Sequence, residues 1–118
     1  MEASKQVFIE VVNIKTLPKT KLTEIQKKML VPIFRGKSCL GNPFSIYTYG
    51  RDDCINRFEN WFKSNLKHHP NMVTNEFYRL VELAKESTEE NPLRLMCFCN
   101  PLNCHGDVIK RFILEELK

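Results

Sequence analysis

The sequence predicts a small single-domain α/β sandwich with a largely parallel central sheet flanked by helices. A β-branched run, Gln6 to Ile14, stands near the start, and a second short apolar run, Leu93 to Cys99, comes late. Between them lie two stretches whose apolar residues recur at helical spacing. Strands joined through helices pair in parallel with right-handed crossovers, and open sheets of this kind hold ligands beyond the carboxyl ends of their strands.

Gln6 to Ile14, rich in Val and Ile and too short for an independent helix, is the first strand, expected at or near the sheet centre. Lys19 to Lys28 carries Leu22 and Ile25 in a polar setting and makes a short helix capped by Thr23. Met29 to Phe34 is a second strand, at an edge because Pro32 has no backbone donor. Gly36 to Tyr49 is a long loop whose aromatic residues pin it to the core. After Gly50, Cys54, Ile55, Phe58, Trp61, Phe62 and Leu66 fall on one helical face, and Asp52 and Asp53 suit the positive end of that helix. His68-His69 reads as a helix-end cap. Thr74 is the expected cap of the next helix, with Phe77, Leu80, Val81 and Ala84 as its buried stripe. Ser87 to Asn91 is a polar connector, and Leu93 to Cys99 is a strand covered on both faces. A terminal helix begins near Cys104 to Gly106, with Val108, Ile109, Phe112, Ile113 and Leu117 inward.

At 118 residues the chain has room for one core. A formal charge of +4, with Lys residues scattered among Glu and Asp, is weaker than a nucleic-acid footprint but suits small anions. No stretch approaches the ~20 apolar residues of a membrane span, and no signal-peptide core stands at the start. A soluble cytoplasmic protein is expected, without a membrane or nucleic-acid partner; homo-oligomerisation is left open. The odd count of five cysteines, two of them one residue apart, argues for reduced thiols and against a disulfide framework.

The segment Cys97-Phe98-Cys99-Asn100-Pro101-Leu102-Asn103-Cys104-His105-Gly106-Asp107-Val108 concentrates reactive side chains at a strand-to-helix junction. With Val11-Val12-Asn13-Ile14 and Leu40-Gly41-Asn42-Pro43-Phe44, it resembles the domain of unknown function 4326 family (DUF4326). Members are small proteins of bacteria and their phages that usually carry C-W-C-x-P-x-x-C-H-G-D. This chain has Phe98 where Trp is usual and an apparent insertion around Leu17 to Lys28. The resemblance implies a site and a bacterial or phage origin, in the host cytoplasm if phage-encoded, and no activity.

Each candidate has two readings. Cys97, Cys99, Cys104 and His105 are zinc-type ligands, but C-x-C in a straight strand beside an adjacent Cys-His fits tetrahedral closure poorly, so no metal and no cofactor is expected. Cys99 and Cys104 are either packing residues or thiols whose pKa the helix start lowers, with His105 as base. Gly106 permits close backbone approach, and the neighbouring N–H groups could receive an anion. Asp107 either complements the helix end or serves a ribose hydroxyl or as general base. Asn13, Gly41, Asn42 and Phe44 are turn and loop anchors or ligand contacts, and Arg35 and Arg51 either pair on the surface or neutralise phosphate.

The expected function is binding of a nucleotide-derived anionic small molecule between Asn13, the Asn42 loop and Cys104 to Asp107. Such binding could sequester a signalling nucleotide, as an anti-defence protein would. The alternative is a glycosidase or transferase on a nucleoside-type substrate, with Asp107, Cys104 and His105 catalytic. A structural zinc protein binding another macromolecule ranks third.

Overall fold

A computed structural model describes residues 6–16, 21–34, 37–44, 46–98 and 104–118. The strands β1 (Ile9–Asn13), β2 (Leu30–Pro32) and β3 (Leu93–Cys97) form a parallel sheet in the order β1-β3-β2. Ile9 stands opposite Leu93 and Asn13 opposite Cys97; on the other side Val31 stands opposite Leu95. The helices are α1 (Glu24–Lys28), α2 (Ile46–Tyr49), α3 (Arg51–Lys67), α4 (Met72–Lys85) and α5 (His105–Glu116). The chain is thus an α/β domain with a parallel sheet flanked by helices, as its sequence predicts.

The centre of the sheet is β3, and β1 is an edge, contrary to expectation. The more apolar strand takes the place where both sides are paired: Leu93, Leu95 and Cys97 are buried, whereas β1 carries exposed Glu10. Coverage of β3 is also unequal. Arg94 and Met96, on its opposite face, are half-buried, and Arg94 pairs there with Glu10 at 3.5 Å. Pro32 sits on edge strand β2, where its missing donor costs least.

Thr23 caps α1 through a reciprocal capping box with Gln26, at 3.2 and 2.9 Å. The expected loop before Gly50 contains the short α2, and its aromatics are unequally buried: Phe44 is half-buried and Tyr47 exposed. Gly50 adopts φ 79°, a conformation that glycine takes without strain, and starts α3. The cap of α4 is Asn71, not Thr74. Asn71 Oδ1 accepts the Thr74 N–H at 2.9 Å while Thr74 Oγ1 accepts the Asn71 N–H at 3.0 Å, so Thr74 is the inner member of the box.

Phe58 and Phe62 of α3, Phe77 of α4 and Ile109 and Ile113 of α5 join Leu93 and Leu95 in one core. That packing aligns α3 against α5, and their polar edges meet above it. Among the described residues no helix is long and apolar enough to cross a membrane.

Candidate functional site

The strand ends and the start of α5 meet at one rim. Asn13 Nδ2 donates to the Phe98 carbonyl at 3.1 Å and Asn13 Oδ1 accepts the Lys15 N–H at 2.8 Å, so this side chain ties the exit of β1 to that of β3. Phe98 is half-exposed, with its ring edge-on to Phe34 at 4.7 Å.

Cys104 caps α5. Its Sγ accepts the Gly106 N–H at 3.3 Å, and its own N–H donates to Asp107 Oδ2 at 3.1 Å. The chain itself therefore occupies these donors at the helix start, where an anion was expected to bind. The thiol hydrogen-bonds the buried Cys97 thiol, which, together with burial, pushes the Cys104 pKa upward; the Gly106 N–H opposes this and loses. Of the two readings of Cys104, this environment favours the packing one: low dielectric and a second thiol outweigh the helix terminus.

His105 is likewise turned inward. Its ring is buried edge-on to Phe58 at 5.0 Å, and Nε2 lies 2.5 Å from the Ile33 carbonyl. A carbonyl only accepts, so Nε2 carries the proton and donates, and that nitrogen cannot serve as a base. Burial lowers the His105 pKa and keeps the ring neutral. The sign follows: below an ordinary His pKa of about 6.5 the unfolded chain takes a proton that the folded chain refuses, so stability is full above that pH and falls below it. We expect stability to fall between pH 7 and pH 5.5, read by urea denaturation. A His105→Gln variant with the same pH slope would assign the loss elsewhere.

Gly106 faces the sheet. A Cβ there would lie 2.8 Å from Ile33 Cδ1 and 2.9 Å from Val11 Cγ1, so the bare Cα serves helix–strand contact and not ligand approach. Among Cys104 to Val108, Asp107 is the exposed residue. With Cys104, Val108 and Arg111 it lines a cleft of about 540 Å³, whose other wall is Asp52, Ile55, Asn56 and Glu59 of α3. Glu59 pairs with Arg111 and, at 3.0 Å, with Lys63; these hydrogen bonds hold its carboxyl below the usual range.

The Gly41 to Phe44 loop is anchored beside this cleft and does not line it. Gly41 closes a turn onto the Ser38 carbonyl at 3.0 Å. Asn42 Nδ2 donates to Cys54 Sγ at 3.1 Å, Asn42 Oδ1 accepts the Phe44 N–H at 2.9 Å, and Cys54 Sγ donates to the Phe44 carbonyl at 3.0 Å. Asn42 is thus a loop anchor on the first turn of α3, and Phe44 packs edge-on to Tyr49 at 6.0 Å. Arg35 and Cys99 lie outside the described residues. Among the described residues no three His, Cys, Asp or Glu side chains gather around a point that could hold a metal ion.

Of the expected site, then, Cys104 and Asp107 border a cleft, whereas Asn13, Asn42, His105 and Gly106 hold the scaffold around it. The α3 wall was missed. Asp52, Asn56 and Glu59 recur at i, i+4 and i+7, a polar stripe that is legible in the sequence once its opposite wall is known. A model of the family described as domain of unknown function (DUF4326) matches residues 16–115. No curated protein and no solved structure matches the chain.

Proposed function

The chain belongs to the domain of unknown function family DUF4326, and from that premise we propose that it binds a nucleotide-derived small molecule in the cleft between α3 and α5. One observation carries this reading: the family motif delivers Asp107 to a cleft of about 540 Å³, a volume in the range of small-molecule sites. Carboxylates of Asp52 and Asp107 suit sugar hydroxyls and base amino groups, Asn56 can both donate and accept, and Ile55 and Val108 offer an apolar floor. Arg111 is the cation available to an anionic group.

Binding without turnover is favoured because Cys104 and His105 are committed to the capping and core contacts described above. Sequestration of a signalling nucleotide, the use a phage would have for such a protein, fits that arrangement. The enzyme reading narrows to Asp107, exposed at the cleft and able to act as a general base on a nucleoside-type substrate.

A thermal-shift panel of nucleosides, mononucleotides, dinucleotides and cyclic derivatives tests the proposal. A ligand at a hundredfold its Kd stabilises the fold by about 2.7 kcal/mol, a rise of several degrees in Tm. Asp107→Asn, which retains an acceptor for the Cys104 N–H, is expected to keep the unliganded Tm and lose the shift. A panel with no shift would defeat the ligand class. Recovery of a cleaved base or transferred sugar, absent in Asp107→Asn, would replace binding by catalysis.

A further inference from the structure

We propose that Arg111, Glu59 and Lys63 form an anion-exchange gate that admits one phosphate group, so that the ligand is a nucleoside monophosphate or a cyclic mononucleotide and not a polyphosphate. The inference rests on the α3–α5 cleft being the ligand site.

Among the described ion pairs, Glu59 is the carboxylate that serves two cations, while the others serve one each. Its side chain is 25% exposed, against 52% for both Lys63 and Arg111, so the shared carboxylate is the inner member and the cations reach it from solvent. Glu59 and Arg111 also line a second cavity, of about 210 Å³, together with Lys63, Phe112 and Glu115. Glu59 and Arg111 are therefore the partition between two adjoining hollows, and Lys63 borders the smaller one.

Exchange at this partition is chemically easy. Exposed ion pairs contribute little, so releasing Arg111 from Glu59 costs little. A phosphate offers the guanidinium fork two oxygens, a stronger charge-assisted arrangement. Lys63, sharing the same carboxylate, is positioned to follow the charge. The exchange also limits the ligand. The two hollows are lined by Asp52, Glu59, Asp107 and Glu115 against Lys63 and Arg111, four carboxylates to two cations. One phosphate can be matched by the two cations, whereas a triphosphate adds charge that only carboxylates face.

Calorimetric titration at fixed ionic strength distinguishes the outcomes, with ribonucleoside monophosphates, cyclic mononucleotides, parent nucleosides and triphosphates as probes. Wild-type protein is expected to bind a monophosphate or cyclic form more tightly than the nucleoside or the triphosphate. Glu59→Gln removes the competing carboxylate and should tighten phosphate binding about threefold to fivefold, the size of an exposed pair, while leaving the nucleoside unaffected. Arg111→Gln should weaken the phosphate form about tenfold or more, again without changing the nucleoside. Glu59→Gln with unchanged or weaker phosphate binding, or equal affinity for nucleoside and monophosphate in wild type, overturns the gate. In either case, binding still lost in Asp107→Asn leaves the cleft reading standing. Binding of none of the probes removes both.

Discussion

Replacing Phe62 with alanine is expected to cost about 3–5 kcal/mol of folding free energy, the largest single-residue effect anticipated for this chain. Its side chain is fully buried at the meeting point of three helices. The ring stacks on Phe58 at 5.6 Å and meets Phe77 and Phe112 edge-on, each at 5.3 Å. Truncation removes the apolar burial and leaves a cavity that α3, α4 and α5 cannot all close upon together. Trp61, one residue earlier, was expected from the apolar stripe to be equally central. It is half-buried at the margin, tilted against Phe58 at 5.7 Å, so Trp61→Ala should cost clearly less. Urea denaturation of both variants gives the comparison directly. A costlier Trp61→Ala would mean that the inward face of α3 is rotated from the one described.

Gly106→Ala is the second large effect, expected to destabilise by about 1–3 kcal/mol through overpacking. Alanine normally stabilises a helix over glycine by up to about 1 kcal/mol, which argues for the opposite sign. Sterics prevail here. The added Cβ would meet Ile33 Cδ1 at 2.8 Å, Val11 Cγ1 at 2.9 Å and Cys104 Sγ at 3.2 Å, and Ile33 is fully buried, with little room to swing aside. Shortening Ile33 should relieve the contact, so the Gly106→Ala, Ile33→Val double variant is expected to cost less than the sum of the two single changes. Additive costs, or a Gly106→Ala protein more stable than wild type, would show that α5 does not approach the sheet so closely.

The two predictions draw on different depths of information. The Phe62 contact was legible in outline, because Cys54, Phe58 and Phe62 recur along one face of α3 and aromatic residues so spaced bury together. The role of Gly106 was not. In sequence it stands beside Cys104, His105 and Asp107 and invites a ligand reading, since glycine allows close approach by anything. That the approaching groups are Ile33 and Val11 depends on residues 73 and 95 positions away. His105 repeats the lesson: its partner is the Ile33 carbonyl, just past the end of β2 and 72 positions away in the chain.

Local chemistry determined the element types. The β-branched run of β1, the Thr23 capping box, Pro32 at an edge, the α3 and α4 stripes and the Cys104 start of α5 each follow from interactions within a few residues, which the sequence carries entire. The same chemistry identified Asp107 as a helix-start carboxylate. Strand order, the inward commitment of Cys104 and His105, and the meeting of Asp52, Asn56 and Glu59 with Asp107 and Arg111 were decided by tertiary structure alone. The reason is physical: a periodic pattern fixes which face of an element seeks the core, whereas its neighbour there is chosen by the packing of all the apolar faces at once, and polar edges meet wherever that packing leaves them.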